Sequence, residues 1–196
     1  MIIVDDFIKD QDLLDRMHHD KTFFGANGDF MWWNGWWNNE AKTIKQELIE
    51  YLWKWHSPWD FPRYKSIDKL MGFEYWTGIY GEGHPNIKLG WHLDKDEKHW
   101  KATGGNDGGE VVKPIMGTVY YPVETNFTGG HLEIQSSGDD QPSEIIEAKY
   151  NRLIIFEAGD LKHRVTEVTS GVRCAIAVNL WQIEPVGVVT GDFTIE

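Results

Sequence analysis

The chain has 196 residues, of which 41% are hydrophobic and 26% charged, with 11 Trp and one Cys. That suffices for one domain with a real core, and no apolar run approaches the roughly 18 residues a membrane span needs, so no membrane partner is expected. The formal charge of −12 disfavours a broad phosphate-binding surface, so no nucleic acid is expected as a partner either.

In chain order, residues 2–8 read as a short strand or extended lead-in. The N-terminal Met1-Ile2-Ile3-Val4-Asp5-Asp6 lacks the basic start of a secretory leader. Asp10 can cap a brief helix in which Leu13, Leu14 and Met17 share a face. Residues 22–39 carry Phe23, Phe24, Trp32, Trp33, Trp36 and Trp37 between the turn signals Gly25-Ala26-Asn27-Gly28-Asp29 and Asn34-Gly35. A hairpin or ordered loop is expected there, most of its rings covering the core and one or two edging a site mouth. The spacing of Ile44, Leu48, Tyr51, Leu52 and Trp55 predicts a helix over 40–55, capped by Asn38 or Asn39 and stopped by Ser57-Pro58.

From Met71 onward the pattern turns to strands, expected over 73–79, 88–94, 115–123, 131–135, 144–148, 152–156, 161–166 and 172–183. Turn residues such as Gly81-Glu82-Gly83-His84-Pro85, Gly129-Gly130 and Ser136-Ser137-Gly138-Asp139-Asp140 separate them. The Gly-rich stretch 101–109 is expected to be irregular, as a mobile flap or a plain loop. A peripheral strand is expected at 193–195. Many short strands at near-regular spacing argue a β-sandwich or jelly roll. The chain reads as a single domain, 1–196: an N-terminal helical and aromatic flank over 1–70, a jelly-roll core over 71–183 and a tail over 184–196. Cys174 has no second Cys to pair with, which fits a reducing, cytoplasmic location.

The chemistry concentrates in three places. His92 and Asp94 are two apart, so on an extended strand both point one way and Leu93 the other. An imidazole and a carboxylate projecting together are half of a metal site, and His163 is the best third ligand. Two His and one carboxylate with open positions suit ferrous iron. On the last strand, Arg173, Ala175, Ala177, Asn179 and Trp181 share one face, while Val172, Cys174, Ile176, Val178 and Leu180 share the other. The small Ala pair leaves volume beside Arg173, whose planar fork suits a carboxylate. Tyr121 shares a face with Val119 and Val123 and is expected to point inward. His131 is a candidate fourth ligand. Asp96 and Glu97 read either as groups orienting the ligands or as a solvated strand end. His18, His19, His56 and His99 read as exposed, and His84 as a turn residue.

The ordered set of His92-Leu93-Asp94, His163 and Arg173 ten positions on, with Thr118-Val119-Tyr120-Tyr121 and Gly129-Gly130, resembles the Fe(II)/2-oxoglutarate-dependent dioxygenases. The variant looks closest to the prolyl-4-hydroxylase-like branch, over about residues 73–181. The resemblance implies a mainly β fold with flanking helices, a double-stranded β-helix of the jelly-roll, cupin-like barrel type. It implies Fe(II) held by His92, Asp94 and His163, and 2-oxoglutarate anchored on Arg173 with the Tyr121 hydroxyl beside it. Tyr75 and Tyr80 are weaker candidates for a second hydroxyl. It further implies that O2 and 2-oxoglutarate are consumed, releasing succinate and CO2, to hydroxylate a C–H bond in a peptide or small-molecule substrate.

Two positions depart from the pattern. Ala175 stands where relatives often have Ser or Thr, and Asn179 stands where the nucleic-acid-demethylating branch has a second Arg. With the acidic charge, the latter argues against base demethylation. Two competing readings are a cupin-like metal enzyme using His131 without 2-oxoglutarate, and a non-enzymatic jelly-roll binding module with Trp stacking platforms. Neither needs a buried Arg173.

Overall fold

The computed structural model describes residues 1–20, 22–24, 30–55, 70–124, 126–135 and 144–189. In chain order the elements are β1 (Ile2–Val4), α1 (Gln11–His19), β2 (Met31–Trp33), α2 (Ile44–Glu50), β3 (Gly72–Gly81), β4 (Leu89–His92), α3 (Glu97–Ala102), β5 (Met116–Tyr120), β6 (Phe127–Gly129), β7 (Leu132–Gln135), β8 (Glu144–Ile146), β9 (Leu153–Phe156), β10 (Lys162–Val165) and β11 (Val168–Trp181). A π-helical turn, Tyr51–Trp55, continues α2. No helix among the described residues is long and apolar enough to cross a membrane.

The strands form two antiparallel sheets. The larger runs β1-β9-β5-β11-β3-β2, with β6 also paired to β11; the smaller runs β4-β10-β7-β8. This is the double-stranded β-helix expected from the sequence. Side-chain alternation splits each long strand between two cores. Leu153 and Ile155 of β9 and Ile176, Val178 and Leu180 of β11 pack outward against Leu13, Leu14 and Met17 of α1 and Leu48 and Ile49 of α2. Ile154 and Phe156 of β9 and Ala175 of β11 face the barrel interior with Leu132, Ile134 and Ile146 of the smaller sheet. The parity assignment of β11 is therefore borne out, and the helices cover the outer face of the larger sheet.

Three expectations need correction. The helix expected over 40–55 starts later, because Thr43, not Asn38 or Asn39, accepts the Gln46 backbone N–H and caps α2. The two asparagines instead donate their side-chain amides back to Asn34, closing the preceding turn. Within the stretch 22–39, expected as a hairpin or ordered loop, the described residues 31–33 form a strand that adds to the edge of β3, with Trp33 opposite Phe73. Finally, the stretch after the His92 strand, expected to be irregular, carries regular helical turns. Asp96 caps α3 through the His99 N–H, and a 3-10 turn follows at Gly105–Asp107. Glycines 104, 105 and 108 supply the positive φ values that this tight reversal needs. The expected stop at Ser57-Pro58, the turns at 25–29 and 136–140, and the strand at 193–195 lie outside the described residues.

Candidate active site

The register between β4 and β10 places His163 directly opposite His92. Their rings lie 4.1 Å apart at the centroids, and Phe156 meets the His163 ring edge-on at 4.9 Å. Asp94 follows β4 rather than sitting in it. Its backbone N–H donates to the Ala158 carbonyl at 2.9 Å, which turns its carboxylate back toward both imidazoles. Asp94 Oδ1 is 3.4 Å from His92 Nε2 and 3.5 Å from His163 Nε2. One ligand atom from each of the three residues lies within 4.8 Å of the others.

The tautomers follow from the neighbours. His92 Nδ1 lies 2.8 Å from the Gly90 carbonyl and His163 Nδ1 lies 3.0 Å from the Leu161 carbonyl. A carbonyl only accepts, so each Nδ1 carries a proton, and it is Nε2 of each ring that faces the cluster, offering its lone pair whenever a metal displaces the proton there. Burial works against a charged His92, but the hydrogen bond and charge of Asp94 outweigh it and raise its pKa. Burial alone would likewise raise Asp94; hydrogen bonds and charge from His163 and His92 outweigh it and hold the carboxyl well below the usual range. The donor set of two nitrogens and one ionised oxygen fits a divalent first-row metal.

Beyond the cluster lies an inner chamber lined by His163, Arg173, Tyr80, Val119, Phe156 and Ala175, among others. Arg173 is 2% exposed. Its Nη2 donates to the Tyr121 hydroxyl at 3.0 Å, while its buried Nε has no partner among the described residues. Its guanidinium lies 5.1 Å from the Tyr121 ring centroid and 5.7 Å from that of Tyr80. The Gly129-Gly130 turn makes room for it: Gly130 has φ +65°, and a Cβ there would meet Arg173 Cδ at 2.8 Å. A buried cation without a carboxylate partner fits a chamber meant to receive an anion. The residues present thus suit both a metal ion and a dicarboxylate co-substrate.

The remaining sequence candidates divide. Tyr80 lines the chamber, but Tyr75 faces the helices, where Gln46 donates to its hydroxyl at 3.5 Å. Asp96 does not orient a ligand: its carboxylate takes the N–H groups of His99 and Val186 at 2.9 and 2.6 Å. His131 is not part of the metal cluster; its backbone exchanges hydrogen bonds with Thr166 at the start of β7, so the fourth-ligand reading is not supported.

An outer cleft of about 950 Å³ opens on His92 and Asp94 and is walled by Phe24, Phe30, Trp76, Lys98 and Val186, among others. Phe30 meets Trp76 edge-on at 5.0 Å. The 185–189 segment forms one rim, held by the Asp96–Val186 bond and by Val189 backbone bonds to Phe30 and Trp32.

Sequence reasoning missed Glu74 and Trp76. Their place comes from the register, which the sequence does not carry: it sets Glu74 opposite Asn179, Trp76 opposite Ala177, Gly78 opposite Ala175 and Tyr80 opposite Arg173. These β3 residues alternate inward beside the inward face of β11. Glu74 is buried at 8% exposure, and desolvation, despite hydrogen bonds from Asn179 and Trp181, pushes its pKa up to about 7. A carboxyl raised in the fold holds its proton more tightly folded than unfolded. Its contribution to stability is complete below the unfolded pKa and is lost as pH rises toward 7. From the ordinary value of 4.5 to about 7, the loss is on the order of 3 kcal/mol. Metal-free wild type is expected to lose melting temperature over this window relative to Glu74→Gln. Parallel profiles for the two proteins in a pH series of thermal melts would refute the assignment.

An antiparallel jelly roll with two histidines and one carboxylate converging at its mouth defines a facial-triad type of metalloenzyme. The chain belongs to the 2OG-Fe(II) oxygenase superfamily, whose family model matches residues 76–181. It is an oxygenase that uses Fe(II), 2-oxoglutarate and O2, which overturns the reading as a non-enzymatic binding module. Among solved structures, a prolyl-4-hydroxylase from Pseudomonas putida is similar at a TM-score of 0.54 and 15% identity, over 92% of this chain and 83% of that one. A viral collagen prolyl hydroxylase from Paramecium Bursaria Chlorella virus-1, in complex with 2-oxoglutarate, is similar at 0.52 and 14% identity, over 93% and 96%. No curated protein matches the chain.

Proposed function

We propose that the protein hydroxylates a C–H bond of a peptide or small molecule at the cluster formed by His92, Asp94 and His163, with 2-oxoglutarate anchored by Arg173. The observation that carries this reading is the buried Arg173, which has no carboxylate partner among the described residues and lines the same chamber as His163. When bound, the iron and 2-oxoglutarate supply the oxidising chemistry: one O2 is consumed, 2-oxoglutarate gives succinate and CO2, and the substrate C–H becomes C–OH.

The protein's own residues do the rest. His92 and His163 offer Nε2 because Gly90 and Leu161 hold the opposite ring edges. Asp94 supplies the anionic ligand. Arg173 takes the distal carboxylate of the co-substrate through charge-assisted hydrogen bonds, and Tyr121 keeps the guanidinium turned toward it. Ala175 and Ala177 keep the side chains on that wall small where a five-carbon diacid would lie, and Val119, Leu132 and Phe156 line the chamber with apolar groups that exclude water. The substrate enters by the outer cleft, where the Trp76 and Phe30 rings form a wall beside the cluster. The names of the two similar prolyl hydroxylases put peptidyl proline among the substrates worth testing first, beside free amino acids and small metabolites.

The test is release of succinate and labelled CO2 from 2-oxoglutarate with Fe(II) and O2. Slow release without a prime substrate is expected, rising when the true substrate is added. No release and no 2-oxoglutarate binding in the Fe(II)-loaded protein would defeat the proposal.

A further inference from the structure

The two oxygens of Asp94 have separate surroundings. Oδ1 faces His92 and His163, on the side where a metal would lie. Oδ2 accepts the Asn179 Nδ2–H at 3.0 Å. Asn179 is itself 2% exposed, on the inward face of β11. Behind it stands Glu74, whose Oε2 lies 3.5 Å from the same Nδ2 and accepts the Trp181 indole N–H at 3.1 Å. The line Trp181–Glu74–Asn179–Asp94 therefore runs from the core to the metal cluster.

This line fixes which way the Asn179 amide points. Turned over, it would set Oδ1 against the ionised carboxylate of Asp94, an acceptor facing an acceptor, and would take Nδ2 away from Glu74 as well. The opposite side of the amide is shaped for it as well. Gly117 pairs with Asn179 across the β5–β11 ladder, and a Cβ at Gly117 would meet Asn179 Oδ1 at 2.8 Å and Ala158 Cβ at 2.5 Å. An amide is also the suitable donor here. It occupies one carboxylate oxygen without adding a positive charge that would compete with the ion for Asp94.

We propose that Asn179 is a positioning residue for the metal site: it withholds Oδ2 of Asp94 so that Oδ1 alone is presented to the ion, and Glu74 and Trp181 fix its orientation. The inference rests on the assignment of Asp94 as a metal ligand, and its test separates the two. Mn(II) is titrated into the full-length protein without 2-oxoglutarate, and free Mn(II) is read by electron paramagnetic resonance. Asn179→Ala and the volume-keeping Asn179→Leu should each weaken Mn(II) binding by about 10–100-fold, as loss of a ligand-orienting hydrogen bond does. The visible charge-transfer band of the anaerobic Fe(II)–2-oxoglutarate complex should shift in the same variants. Leu180→Val, on the outward face of the same strand, should lower the melting temperature and leave Mn(II) affinity unchanged. Affinity within twofold of wild type in both Asn179 variants, or an equal loss in Leu180→Val, overturns the role of Asn179. Wild-type protein that takes up no Mn(II) overturns the metal-site reading on which it stands.

Discussion

His92→Ala, Asp94→Ala and His163→Ala are each expected to abolish turnover and to weaken Fe(II) or Mn(II) binding by more than about 100-fold, beyond the loss typical of an orienting neighbour. Three protein ligands are the minimum for this site, and the described residues hold no spare beside the cluster. Each imidazole has its Nδ1 committed to a backbone carbonyl, so Nε2 is the only donor it can give. His131 stands outside the cluster and cannot replace a lost ring. Asp94 is the one anion in the proposed ligand set, so its removal also takes away the charge that would draw a dication into a partly desolvated site. A proton competes with the ion for His92, whose pKa is raised, so metal affinity should fall as pH is lowered through the titration of that ring. Asp94 adds nothing to this dependence, because its neighbours keep it ionised. Calorimetric titration of each variant checks these points, and full metal uptake by any one of them removes that residue from the site.

The inward face of β11 was readable from sequence because strand alternation is a local property. Arg173, Ala175, Ala177 and Asn179 needed no knowledge of a partner strand to be placed together. The His92–Asp94 pair was readable for the same reason, although Asp94 reaches the cluster from beyond the end of β4. His163 was offered as the third ligand by its residue type, but giving Arg173 its place in the set took the family resemblance, since the spacing itself carries no geometry. What stayed hidden depends on partners distant in sequence. Glu74 in a strand reads as a solvent-facing charge until register sets it opposite Asn179 and under the Trp181 indole. Asp96 reads as a ligand neighbour, yet its carboxylate serves a helix that the Gly-rich composition of 101–109 concealed and a backbone amide 90 residues away. The start of α2 was misplaced because Asn38, Asn39 and Thr43 all have capping chemistry. The competition was settled by Asn34, which engages the two asparagines in a turn of their own.

Arg173→Ala is expected to weaken 2-oxoglutarate binding by roughly 10- to 1,000-fold, the range for losing one or two hydrogen bonds to a charged group. Metal affinity should stay close to wild type, because Arg173 contacts Tyr121 and not the ligand cluster. Arg173→Lys keeps the charge but loses the planar fork, so it should retain part of the affinity. Tyr121→Phe removes one neutral hydroxyl beside the guanidinium and should cost no more than about tenfold. The stability readout carries independent information. In wild type the co-substrate neutralises a buried guanidinium whose Nε is otherwise unsatisfied, so added 2-oxoglutarate should raise the melting temperature of the metal-loaded protein. In Arg173→Ala the ligand-free protein no longer buries that charge, and the rise should largely vanish. An ordinary structural Arg would behave the other way: its removal would lower stability with or without ligand and leave 2-oxoglutarate affinity alone. Equal affinity of wild type and Arg173→Ala for 2-oxoglutarate, measured by calorimetry on the Mn(II)-loaded proteins, would strip the chamber of its anion anchor. The co-substrate would then have to be held by the metal and the Tyr80 side of the cavity alone.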